Sequence, residues 1–251
     1  MREDKDVLCF WLCAFSFSFA FFHIMPVLLK GFLKWPLTWG DTLDFLTPFA
    51  VIPLAYVFYS RANKILHFTY GQNPSPGTSM VFTRVFLAIG FLCYVDGHGI
   101  HLSSNSIARL LQNMKGSELY KATYLFDEVI SHFIWHGGVF LISVGLIILA
   151  SKLSFKSLSG KNIVFLAIGA ALFGLTFTAE GIEGQSVIFV FPAAGVGFLL
   201  ALFLYLKRQR EKGLYPFLQF FMGANFFSLI LFAYWGISHS GFPQFSELGW
   251  G

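Results

Sequence analysis

The chain has 251 residues, of which 56% are hydrophobic, 19% aromatic and 12% charged, with 33 phenylalanines. That is more apolar surface than a soluble domain of this length can hide, so composition points to an integral membrane protein and excludes a soluble enzyme. The net charge of +4 sits in short loops between apolar stretches, which argues against a nucleic-acid surface; no nucleic-acid partner is expected.

Seven stretches are long enough, at about 20 residues each, to cross a hydrocarbon layer of about 30 Å as helices. They fall at roughly 8–33, 43–60, 80–98, 123–150, 162–182, 187–206 and 216–239. Runs such as FLAIGAALFGL and AAGVGFLLALFLYL are apolar all round, which excludes the period-two alternation of a barrel strand. The first span, LCFWLCAFSFSFAFFHIMPVLL, lacks a cleavage site behind a short apolar core and reads as a retained helix. The predicted fold is therefore all-α: one seven-transmembrane-helix bundle over residues 1–251, with no second domain and no visible repeat. GAALFG in span five and AAGVG in span six suggest close helix packing.

Of the 17 Lys and Arg residues, five (Lys30, Lys34, Arg109, Lys115 and Lys121) lie at one end of the spans. The other twelve, KRQREK among them, lie at the N-terminus and in the loops of the opposite end. The positive-inside rule then places the N-terminus inside and the C-terminus outside. Cys9, Cys13 and Cys93 all fall within spans and offer no disulfide framework. Trp35, Trp39 and Trp250 read as an aromatic belt at the outer face. His23 reads as interfacial, and His67 lies at the opposite end.

The remaining five histidines and five of the thirteen carboxylates share the outer end of four spans. Span three ends with Asp96, His98 and His101, and span four begins with Asp127, Glu128, His132 and His136. Span five ends with Glu180 and Glu183, and span seven with Ser238, His239 and Ser240. The convergence depends only on counting spans, so it survives a reversed orientation. Residues four apart turn by about 40° on a helix, so Glu128, His132 and His136 form one stripe; His98 and His101 share a face, as do Glu180 and Glu183. The glycines of DGHGIH and EGIEG suggest loosened helix ends beside a pocket. A single such residue has a structural explanation, by hydrogen bonding or by complementing a helix dipole. Ten together do not, because each charged group at depth costs about 2.5–3.5 kcal/mol.

Imidazole and carboxylate without thiolate suit zinc, iron or manganese. A divalent metal, zinc foremost, is expected on ligands drawn from His98, His101, His132, His136, His239, Asp96 and Glu183. Asp127, Glu128 and Glu180 are the candidates for positioning water and moving protons. Two iron ions fit the same donors, although Glu128-x-x-x-His132 replaces the Glu-x-x-His spacing of dinuclear bundles.

The order of residues resembles the alkaline ceramidase superfamily of seven-helix membrane metallohydrolases. GIH at the end of span three is similar to the family's Phe-His, and LFDE to its Leu-Asp-Glu. The resemblance implies a zinc ligand at His101 and a water-holding carboxylate at Asp127. The chain departs from the family pattern at Gly97, where the family has serine, and in span seven, where His239 replaces a His-x-x-x-His pair.

The expected function is hydrolysis of an amide or ester in a lipid-like substrate from the bilayer, by a metal site near the outer face. Two other classes remain open: an oxidoreductase with a dinuclear iron or haem centre, and a proton- or cation-coupled transporter.

Overall fold

A backbone inside hydrocarbon has no water to bond, so each crossing must satisfy its own amides, as a helix does. The computed structural model describes residues 2–70, 77–209 and 213–250. Seven helices in it are long and apolar enough to cross a membrane. They are α1 (Arg2–Leu28), α2 (Trp39–Tyr70), α3 (Thr78–Leu110), α4 (Glu118–Ala150), α5 (Gly160–Glu183), α6 (Val187–Arg208) and α7 (Pro216–Ser238). The GQNPSP stretch and the Arg210–Lys212 part of KRQREK lie outside the described residues.

The boundaries differ from the sequence reading at the outer-end loops. Helix α1 stops at Leu28, and a two-stranded hairpin, β1 (Phe32–Lys34) with β2 (Leu37–Thr38), joins it to α2. Helix α3 runs nine residues past His101, so much of the polar segment after HLS is helical rather than loop. His98 and His101 are thus mid-helix, and Gly97 and Gly99 do not loosen an end. The start of α2 carries a reciprocal cap: the Asp41 amide donates to Thr38 Oγ1 (3.0 Å), and the Thr38 amide donates to Asp41 Oδ2 (2.6 Å). Arg109 grips the same carboxylate with both guanidinium nitrogens and donates to the Pro36 carbonyl (3.0 Å), fastening the hairpin to the end of α3.

Around the bundle the neighbours run α1, α2, α3, α4, α6, α7, α5 and back to α1. Small residues set the closest approaches. A Cβ on Gly174 of α5 would fall 2.4 Å from the Ala224 carbonyl oxygen of α7. There the Thr178 and Ser228 hydroxyls, 2.7 Å apart, bond across the same seam. Phe15 and Phe19 of α1 pack on Phe173 of α5, with ring centroids 5.9 and 5.1 Å apart.

The most intimate pair is α3 with α4. A Cβ on Gly97 would fall 2.5 Å from Trp135 Cβ, and one on Gly138 would fall 2.7 Å from the Tyr94 amide nitrogen. Gly90 meets Ile142 and the Gly138 carbonyl, and Gly145 meets Leu87 and Thr83, so the two backbones stay in contact over about four turns. This seam sets His98 and His101 beside His132 and His136. Gly97→Ala is predicted to destabilise the protein by about 1–3 kcal/mol through overpacking. Gly99→Ala, with nothing within 4 Å of the added carbon, is predicted to be neutral or stabilising by up to about 1 kcal/mol. Thermal midpoints of the two variants in one detergent check this ordering.

Candidate functional site

At the hairpin end the bundle opens into a cavity of about 730 Å³ whose walls include His23, Asp44, His101, Glu128, His132 and Glu180. Pro26, Val27, Leu29, Phe32 and Trp35 give one side of it an apolar rim. Its polar floor is organised by Trp135, a buried indole on α4 surrounded by five imidazoles. Ring centroids of His98, His136, His23, His132 and His101 lie 4.4, 4.8, 5.1, 5.4 and 6.1 Å from that of Trp135.

A hydrogen bond at one nitrogen of an imidazole fixes the state of the other. His23 Nδ1 donates to the Phe19 carbonyl (2.6 Å), so its Nε2 accepts from the Tyr94 hydroxyl at 3.1 Å. Both nitrogens of His23 are therefore engaged. His132 Nδ1 donates to the Glu128 carbonyl at 2.9 Å, and His98 Nδ1 to Asp44 Oδ1 at 3.2 Å. His136 Nδ1 is 2.7 Å from the Ser186 hydroxyl. His101 Nδ1 lies 3.0 Å from Asp127 Oδ1, an ion-pair contact off the angle of a straight hydrogen bond.

Three imidazoles, those of His98, His132 and His136, are thus hydrogen-bonded through Nδ1 and keep Nε2 for another partner, while His101 faces Asp127 with its Nδ1. The Nε2 atoms of His98 and His136 are buried and have no hydrogen-bond partner among the described residues. Holding one ring nitrogen by a carboxylate, carbonyl or hydroxyl while freeing the other is the arrangement that orients metal-binding and acid–base histidines.

The acids reach the site through a local change of helix. Leu125–Ile130 of α4 form a π-helical turn, which inserts an extra residue and widens the helix. Asp127 is buried against His101, while its neighbour Glu128 lines the cavity. The Ser131 hydroxyl donates to the Asp127 carbonyl within this turn. At the end of α5, a Cβ on Gly184 would fall 2.8 Å from the His132 ring, so glycine there makes room for that imidazole.

Not every residue expected at the site is there. Asp96 is exposed on α3, turned away from Gly97 and His98, which pack inward. His239 stacks on Trp235 at 4.0 Å, bonds its carbonyl (3.2 Å) and does not line the cavity. Glu183 is at the cavity wall, but its Oε2 accepts the amides of Phe245 (2.7 Å) and Ser246 (3.3 Å). Conversely, the sequence reading omitted Asp44, a lone acid within an apolar span, and left His23 at the interface; His23 is only 5% exposed. The signal for both was available: each lies at the same end as the other groups, where α1 descends and α2 begins.

Chemically, the donors are those a zinc or iron ion takes. The centroids of His101 and His132 are 5.0 Å apart and those of His132 and His136 5.8 Å. Two imidazoles bound to one ion at about 2.0–2.1 Å sit roughly 5–6 Å apart by the same measure. Among the described residues, however, no three His, Cys, Asp or Glu groups are placed to hold one ion together.

Deleting Val129 should convert the wide turn to α-helix and rotate the residues before it by roughly 100°. Cysteines placed at 101 and 127 are predicted to cross-link in the full-length chain and to fail to do so in the deletion variant, as read by gel shift under oxidising conditions. No protein-family model matches this chain, and no curated protein or solved structure matches it either.

Proposed function

We propose that the protein is a membrane-embedded, metal-dependent hydrolase that cleaves an amide or ester in a lipid-like substrate. The observation that carries the reading is the placement of His101 and His132, 5.0 Å apart, with the carboxylates of Glu128 and Glu180 on the wall of one cavity. The apolar rim beside them suits a chain entering from the bilayer. Because no third His, Cys, Asp or Glu among the described residues completes a ligand set with His101 and His132, the third donor is a side chain that turns inward; Glu128, one helical turn before His132, fills that role.

A bound zinc would supply Lewis-acid polarisation of the scissile carbonyl. The chain's own residues do the rest. Asp127 holds His101 in one orientation, and the Glu128 carbonyl does the same for His132. Glu180, on the cavity wall, takes the proton of the attacking water. Asp44 keeps a proton on His98 Nδ1, leaving Nε2 basic and facing the buried interior.

The excess of Lys and Arg in the loops away from the cavity supports a topology with the N-terminus inside, the C-terminus outside and the cavity at the non-cytoplasmic face. Purified protein is predicted to carry about one equivalent of zinc by elemental analysis. His101→Ala and His132→Ala should lose the metal and at least about 100-fold of lipid hydrolysis, whereas Asp96→Ala and His239→Ala should keep both. Wild-type protein free of metal, or full hydrolysis by His132→Ala, would overturn the reading.

A further inference from the structure

The segment after α7 turns back over the cavity instead of leaving the bundle. It reverses at Ser240 and Gly241, with φ of 53° and 155°, where the Gly241 amide donates to the Gly236 carbonyl at 3.0 Å. Beyond the reversal, Gln244 and Ser246 line the cavity. The segment is mostly exposed and meets the bundle chiefly through Phe242, Phe245 and Trp250; Phe245 and Trp250 lie 4.6 and 5.6 Å from Trp235 by ring centroid. Few buried apolar contacts make a segment cheap to displace.

Its polar ties converge on one place, the end of α5. Glu183 Oε2 accepts the amides of Phe245 and Ser246, and the Glu183 carbonyl accepts from the Gln244 side chain. The Gln185 amide donates to Gln244 Oε1 at 3.1 Å and to the Tyr124 hydroxyl at 2.9 Å. The only other polar tie to the bundle among these described residues is Trp235 Nε1 donating to the Pro243 carbonyl at 3.1 Å. A carboxylate receiving two backbone amides is a strong clamp, because each bond is charge-assisted.

We propose that residues 242–250 are a movable wall of the cavity, closed by the Glu183 clamp and hinged at Ser240 and Gly241, and that Glu183 controls how large a molecule enters. Glu183 is on this account a gate residue and not a ligand. The inference rests on the cavity and its wall and not on hydrolysis, so its test reads access alone.

A cysteine replacing Asn105, which lines the cavity, reports access in the full-length protein in liposomes. Its reaction with a small charged thiol reagent and with a bulky polyethylene glycol maleimide is timed. Adding Glu183→Ala is expected to speed the bulky reagent at least tenfold and the small one far less; ending the chain after Gly241 should do the same. Equal rates for the bulky reagent in folded parent, Glu183→Ala and shortened chains would overturn the proposal. If Glu183→Ala does not fold, cysteines at Gln185 and Gln244, joined by a reducible cross-linker, decide. Slow labelling at position 105 that recovers tenfold on reduction supports the gate, and no change on reduction refutes it.

Discussion

Everything at the cavity depends on the contact between the backbones of α3 and α4. Four glycines, Gly90, Gly97, Gly138 and Gly145, remove the side chains that would hold the two helices apart. In a bilayer there is little hydrophobic gain from bringing two apolar helices together, so such close approach must come from van der Waals contact along the seam. That contact brings the ring of His101 of α3 to 5.0 Å, centroid to centroid, from that of His132 of α4 and sets the Trp135 backbone and Cβ against Gly97. Any side chain at Gly97 would put its Cβ 2.5 Å from that of Trp135, closer than two carbons can stand. Glycine at this position is thus required by the way α3 and α4 pack.

The seam also explains how so many polar groups are accommodated. Each imidazole of the cluster has at least one nitrogen near a protein partner: a carbonyl for His23 and His132, a carboxylate for His98 and His101, a hydroxyl for His136. Unpaired polar groups in a low-dielectric interior are costly, and these pairings lower that cost while fixing ring orientation. What they leave are the Nε2 atoms of His98 and His136, buried and without a hydrogen-bond partner among the described residues. Asp41 shows the contrasting case, since its charge is consumed by Arg109 and by the cap of α2 and it serves as a fastener for the hairpin.

Much of this was legible in the sequence because hydrophobic runs and span parity are robust signals. Seven spans, the shared end of the polar residues and the stripe of Glu128, His132 and His136 follow from length and the 3.6-residue period alone. Three features were not. The π-helical turn at Leu125–Ile130 has no sequence signature, yet it sends Asp127 to His101 while Glu128 faces the cavity. Which face of a helix looks inward depends on its neighbours, so Asp96 and His239 were grouped with residues they do not meet, while His23 and Asp44 were left out. Glu183 was assigned to a ligand set because its backbone partners, Phe245 and Ser246, are sixty residues away in the chain and close only in the fold.

The central claim is that the seam between α3 and α4 builds a metal centre on His101 and His132. Diffraction from crystals of the zinc-loaded protein, recorded on either side of the zinc absorption edge, tests it most directly. The account predicts one anomalous peak between the Nε2 atoms of His101 and His132, with a carboxylate of Glu128 in contact. A peak elsewhere, at His239 for example, or none in the cavity of a fully loaded sample, would contradict it.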